Sequence, residues 1–275
     1  MSEAGDAAAG SAAPRTRLSL AEAAVLGVVA GFASGTLGIG GGLVMVPLLT
    51  LWIGTPIKRA VGTSLLGVLA ISTVAVATEL VVAPANVRWV PAGLLAAGAV
   101  AGSWVGTRVI ARTPPLLLAR LMAAVLLVAA LRMSGLLGAG EAGGGPHDLL
   151  PSLAGSAAAH AATGVAAGII STLFGVGGGI LAVPLLAVLH PGWEFQACRA
   201  TSLAMIIPTS VAGALLHHKL RNVDVRLAAG LLPGALAGAV GGVIVANRVP
   251  GRPLELAFAA LLCFAAARLA TRGAK

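Results

Sequence analysis

The sequence predicts an all-α polytopic membrane protein made of two five-segment repeats of inverted topology, each broken by a short helix at a glycine-rich motif. Three observations carry this. Hydrophobic residues make up 58% of 275 and charged residues only 10%, with a mean hydropathy of +0.98, whereas a soluble domain carries about 25% charged residues. Such a chain cannot cover itself with polar surface, so lipid is its solvent. The apolar residues gather into runs between polar, Pro or Gly breaks, and one glycine-rich pattern occurs in both halves.

The runs of the first half span residues 18–36, 43–53, 60–82, 89–110 and 116–137. Those of the second span 150–172, 180–189, 200–217, 225–246 and 254–269. This divides the chain into a disordered cytoplasmic tail (1–17), a first transmembrane repeat (18–137), a Gly-rich external linker (138–149), a second repeat (150–270) and a short cytoplasmic tail (271–275). The start of the chain is Ala/Gly/Ser-rich and acidic, without the basic-then-apolar order of a signal peptide. The second run of each half is short. As a helix, residues 43–53 reach about 16 Å, against a hydrocarbon core of about 30 Å. Each short run therefore reads as a broken, half-spanning helix.

The two halves match in register. Ser34 and Ser171, Gly40 and Gly177, and Pro47 and Pro184 are each 137 residues apart, and Thr63-Ser64 recurs as Thr201-Ser202 and Asn86-Val87 as Asn222-Val223. A collinear series of this kind marks an internal duplication. Five segments per half place the second half upside down relative to the first. With the N-terminus cytoplasmic, 13 of the 18 Lys and Arg residues fall inside and five outside (Arg88, Arg132, Arg199, Arg248 and Arg252), as the positive-inside rule requires. Full crossings and re-entrant hairpins at segments 1–2 and 6–7 satisfy this test equally.

The glycine-rich breaks are the strongest functional signal. Backbone at membrane depth must be hydrogen-bonded or face a wet cavity. A helix that begins mid-membrane presents free N–H groups and the positive end of its dipole. Gly40, Gly41 and Gly42, and Gly177, Gly178 and Gly179, stand before the two short segments, and glycine lets the main chain approach a ligand closely. Two such termini make a trap for a small anion without Lys or Arg; the competing reading is close helix packing through small residues. Pro47 and Pro184 fix the short-helix geometry or merely kink it. Ser34, Ser171, Thr63, Ser64, Thr201 and Ser202 each offer a neutral hydrogen bond to an oxyanion, or bond back to their own helices. Arg199 stands where it attracts anions at an outer mouth or snorkels to the interface. Glu79, near a run's end, is the best candidate for an intramembrane carboxylate, although the interface lies within its reach. His217 and His218 end a run beside Lys219 and read as facing the headgroups.

The doubled pattern of Ser34–Leu48 and Ser171–Leu185, with Ala60–Ser64 and Arg199–Ser202 downstream, resembles the TauE/SafE family of sulfite exporters over nearly all of the chain after residue 18. The resemblance implies an inner-membrane permease of bacteria that exports sulfite or a small organosulfonate such as sulfoacetate. It also implies that the matched Gly, Ser and Thr positions, Gly38 and Gly175 among them, line the path.

Other classes are weaker. The net charge of +9 is spread as single residues and pairs, and aromatic residues are only 3%, so the basic residues set topology and nucleic acid is not a partner. The expected partners are a small anion, the bilayer and, for such a chain, a second copy in a homo-oligomer. Cys198 and Cys263 lie in apolar runs as small fillers. No cofactor is expected, and no phosphate-binding G-x-x-x-x-G-K-[ST] loop occurs. An intramembrane hydrolase using Ser34 would need a histidine base, of which His160 alone is clearly within a run. A non-transporting scaffold has no positive signal.

Overall fold

The computed structural model describes residues 20–110 and 157–272, with Ala124, Leu127, Ala130, Leu131 and Ser134 between them. The expected N-terminal tail, most of the fifth segment, the linker, the start of the sixth segment and residues 273–275 lie outside the described residues, while residues 271 and 272 of the expected C-terminal tail still belong to the last helix. The described residues are helical, with no strand among them. In chain order the helices are α1 (Leu20–Leu37), α2 (Gly42–Pro47) running into a π-helical turn (Leu48–Trp52), α3 (Ile57–Val82), a 3-10 turn (Pro84–Asn86), α4 (Trp89–Ile110), α5 (Ala157–Phe174), α6 (Gly179–Leu189), α7 (Phe195–Lys219), α8 (Val225–Arg248) and α9 (Gly251–Arg272). Five of them are long and apolar enough to cross a membrane: α3, α4, α5, α7 and α8.

Where they are described, the expected runs other than the fifth become helices with small changes at their ends. The largest change is in α7, which begins at Phe195 rather than 200. The polar stretch Gln196–Arg199 hides this first turn from a hydropathy reading, yet Gln196 and Arg199 are both buried. The two prolines act differently. Pro47 ends α2, and the chain widens into the π turn, whereas Pro184 sits inside an unbroken α6. A proline removes one N–H and crowds the preceding turn, and a wider turn is one way to absorb that.

Glycine periodicity decides how the helices pair. Gly27, Gly31 and Gly35 of α1 face α8 around Leu231, Ala235 and Ala239, while Gly234, Gly238 and Gly242 of α8 face Ala24, Val28 and Phe32 of α1. Gly98, Gly102 and Gly106 of α4 meet α5 around Ala161, Val165 and Ile169, and Gly164 and Gly168 of α5 meet Leu95 and Ala99. Spacing by four puts each set on one helical face, and the absence of Cβ lets two backbones touch. Contact positions rise together along both chains, so each pair is parallel.

The ends of α3 tie it to α8. Thr63 near its start accepts a hydrogen bond from Asp224 N at the start of α8 (3.0 Å), and Glu79 near its end meets Asn247 near the end of α8. Likewise Thr201 of α7 accepts from Arg88 N just before α4 (3.2 Å). The result is two three-helix units, α1/α3/α8 and α5/α7/α4. They meet along α3 and α7, which run antiparallel: Leu65 lies against Gly213, and Glu79 against Arg199.

Candidate functional site

The chain between α1 and α2 turns back through a glycine loop, and the chain between α5 and α6 does the same. Gly38, Gly40 and Gly41 have φ of 72°, 75° and 77°, and Gly175, Gly177 and Gly178 have φ of 68°, 80° and 84°. This left-handed region suits glycine alone among the residue types without penalty. The two loops cross. A Cβ on Gly42 would strike Gly175 O, and one on Gly179 would strike Gly38 O. Val68 of α3 and Ile206 of α7 fill the crossing: a Cβ on Gly40 would stand 2.9 Å from Val68 Cγ1, and one on Gly177 2.9 Å from Ile206 Cγ2. Val68 lies eleven residues into α3, or about 16 Å from its start at ~1.5 Å per residue. The crossing therefore lies near mid-span.

The structure brings the predicted residues together here. All six triplet glycines are buried, and among the described residues nothing accepts a hydrogen bond from their N–H groups. The Ser34 and Ser171 hydroxyls are fully buried and also lack a hydrogen-bond partner. A Cβ on Gly41 would lie 3.5 Å from Ser34 Cβ. Ser64 Oγ donates to Gly175 O (3.0 Å) and to Val61 O (2.8 Å), and Ser202 Oγ donates to Gly38 O (3.1 Å). Each of these serines thus holds the glycine loop of the opposite half. Thr63 and Thr201 instead accept the helix-start N–H groups already described, so of these four side chains Ser64 and Ser202 are the ones that bond to the crossing.

Three expectations about ionisable groups are corrected. Arg199 is neither at an outer mouth nor snorkelling: it is fully buried, with Nη1 donating to Gly35 O (2.7 Å) and Nη2 to Glu79 Oε2 (2.6 Å). Glu79 does not reach an interface, because Asn86 (2.7 Å) and Asn247 (3.1 Å) also donate to its carboxylate and seal it in. The extra turn at the start of α7 is what carries Arg199 inward. His217 turns away from the headgroups and is buried, with Nε2 3.4 Å from Thr172 O, while His218 stays exposed.

Some residues escaped the sequence reading. Ser72 and Ser210, again a repeat-related pair, carry buried hydroxyls without partners. Each is one turn past the plug residue of its helix, Val68 or Ile206, and so on the same face. Extending the alignment of the halves would have found them. His160 Nε2 is 2.9 Å from His190 Nε2, and His190 stacks on Trp193 at 3.9 Å between ring centroids. Burial, and secondarily a proton on neighbouring His160, hold the His190 pKa below the ordinary histidine value. Nothing in the sequence signals that pairing. No histidine lies within hydrogen-bond reach of Ser34, and among the described residues no group of three His, Cys, Asp or Glu side chains converges.

These features define a polytopic helical membrane protein with two glycine loops crossed near mid-span. The chain belongs to the family described as "Sulfite exporter TauE/SafE", which it matches over residues 4–133 and 160–275. Among curated relatives, a "Probable membrane transporter protein" of Methanocaldococcus jannaschii is 26% identical over 209 residues, covering 73% of this chain and 72% of the relative. Two proteins of Haemophilus influenzae with the same description are 39% and 38% identical over 56 and 66 residues. Those two matches cover 20% and 22% of this chain, and only 21% and 25% of the relatives' own lengths. No solved structure matches this chain.

Proposed function

We propose that this protein moves a small oxyanion across the cytoplasmic membrane by alternating access, with the crossed glycine loops as the central binding site. The observation that carries this is the set of buried, unpartnered donors near mid-span: the N–H groups of Gly40–Gly42 and Gly177–Gly179 and the hydroxyls of Ser34 and Ser171. Unmade hydrogen bonds in a low-dielectric interior cost about 1–3 kcal/mol each. Several buried donors left without a partner at one place are what an anion would satisfy. The compact packing around the glycines corresponds to a closed conformation, in which Val68 and Ile206 occupy the crossing. Opening either side withdraws one plug and exposes one loop.

The family description favours sulfite, and a small organosulfonate such as sulfoacetate shares its tetrahedral or pyramidal array of oxygens. Lys58, Arg59, Lys219, Arg221 and Arg226 gather at the end where α3 and α8 start, which supports that end as cytoplasmic. Both chain termini then lie inside. The test is efflux from proteoliposomes containing the purified protein, with sulfite, sulfate, sulfoacetate, taurine and thiosulfate. Flux of at least one anion is expected, with Gly41→Leu and Gly178→Leu abolishing it while still inserting in the membrane. Normal flux in both variants would remove the crossing from the path.

A further inference from the structure

We propose that Glu79 is a proton-binding site coupled to anion binding at Arg199. A proton enters on Glu79 whenever an anion takes its place on the guanidinium, so anion and proton move together. The inference rests on the transport reading above.

The pair joins the two helical units, Glu79 on α3 and Arg199 on α7, at the end of the crossing nearest Gly38. Both side chains are fully buried and 2.6 Å apart. Every contact on Glu79 comes from a donor: Arg199 Nη2 and Asn247 Nδ2 on Oε2, and Asn86 Nδ2 on Oε1. Glu79 is therefore the carboxylate in this conformation. Arg199 has donors to spare. Nη1 is on Gly35 O, but buried Nε has no partner. Its stem lies against the first glycine loop, where a Cβ on Gly38 would stand 2.7 Å from Arg199 Cγ. An anion at that loop needs only a small movement of the guanidinium to be bound by it.

Charge balance then dictates the proton. A buried anion beside both Arg199 and ionised Glu79 leaves the interior with uncompensated negative charge, which is strongly penalised away from water. A proton passed from hydronium in the aqueous phase to a Glu79 oxygen, with release of water, forms one O–H bond and breaks another, and removes one unit of that charge, which balances a monoanion. The surrounding amides accept either form. As a carboxylate, Glu79 takes N–H bonds from Asn86 and Asn247. As an acid, it donates O–H to an amide oxygen once one amide turns over. Arg199 is the one charged group in contact with Glu79. Of the elements packed there, α1 offers only the Gly35 carbonyl to the pair. Arg88, Arg248 and Glu194 at this end are exposed, Glu255 of α9 is half-buried near Cys198, and His217, Lys219, Asp224 and Arg226 lie at the opposite ends of α7 and α8.

The duplication argues against a purely structural pair. At the repeat offset of 138, Arg199 corresponds to Val61 and Glu79 to His217. The geometry agrees. A Cβ on Gly38 would be 3.0 Å from Arg199 Cα, and one on Gly175 would be 3.0 Å from Val61 Cα. The second crossing closes without an ion pair, so closure does not require one.

The experiment uses proteoliposomes clamped at zero potential with valinomycin and potassium. The probe is hydrogen sulfite, a monoanion, with the most rapidly exchanged anion of the panel as a second. A gradient of one pH unit should drive about tenfold accumulation on the alkaline side if one proton travels with each anion. Glu79→Gln mimics the protonated acid, so it should keep anion exchange but lose the accumulation. Exchange by the wild-type protein with no accumulation under the gradient would overturn proton coupling while leaving transport intact, and needs no variant. Accumulation by Glu79→Gln equal to wild type would overturn the assignment to Glu79. Absence of exchange for every anion would overturn the transport reading and this one with it.

Discussion

The close packing at the glycine crossing can be separated from simple backbone strain with four glycine-to-alanine variants. Gly178 has φ 84°, and a Cβ there would stand 2.8 Å from Ala167 O, a backbone atom held inside α5. The left-handed conformation costs an alanine about 1–2 kcal/mol, and forcing a methyl into packed backbone adds about 1–3 kcal/mol. Gly178→Ala should therefore lose about 2–5 kcal/mol. Gly41 has φ 77°, with the side-chain end of Ile71 at 3.1 Å and Ala30 O at 3.2 Å, contacts that need only a few tenths of an ångström of movement, so Gly41→Ala should lose about 1–3 kcal/mol, chiefly the backbone cost. Gly54 has φ 75° with nothing within 4 Å, which isolates the backbone cost of about 1–2 kcal/mol. Gly241, helical in α8 and equally uncrowded, should gain up to about 1 kcal/mol as alanine. The assay is equilibrium unfolding of the purified protein in mixed micelles under one set of conditions. An equal loss at Gly178 and Gly54 would refute the claim that a crowded crossing fixes these glycines.

Three further outcomes follow from individual sites. Arg221 is the one non-glycine residue with positive φ among those described (55°), so Arg221→Gly should raise the unfolding free energy by about 1 kcal/mol, and a loss would show that its side chain matters more than its strain. His190 has a lowered pKa in the folded protein, so the unfolded chain takes the proton first as pH falls. Stability should drop once pH passes below about 6.5 and level off below the folded value, and His190→Gln should flatten that part of a melting-temperature profile. A disulfide between cysteines at Leu65 and Gly213, in a background without Cys198 and Cys263, should stop flux by locking α3 to α7. Full flux in the cross-linked protein would argue against these units.

Much of this architecture could be read from the sequence because it depends on periodicity. Lipid-facing helices need long apolar runs, so the elements followed from hydropathy. The duplication made the glycine loops visible as a pair, since Gly40–Gly42 and Gly177–Gly179 recur ahead of segments too short to span. The buried ion pair did not announce itself. Arg199 and Glu79 each lie near the end of an apolar run, where an isolated charge ordinarily reaches water, and only tertiary contact reveals that they neutralise each other. The framing roles of Ser64 and Ser202 were hidden for a related reason. A hydroxyl near a carbonyl of the opposite half looks the same in sequence as one awaiting a ligand.

The pairing of the helices changes what should move. Sequence divides the chain into two repeats, yet the backbone-to-backbone glycine contacts join α1 to α8 and α4 to α5, across that division. Helices in direct backbone contact over three turns cannot slide without breaking van der Waals contact along the whole seam. The α3–α7 boundary is different. Outside the glycine crossing, where Gly42 meets Gly175 and Gly179 meets Gly38, it is made of side chains such as Val68, Ile206 and Leu65, which can change rotamer one at a time. An alternation between inward and outward access should therefore be a movement of α1/α3/α8 against α4/α5/α7. Glu79–Arg199 is the one ion pair among the described residues that bridges those units. Any step that parts them at that end must first resolve two buried charges, and a proton together with an anion resolves both.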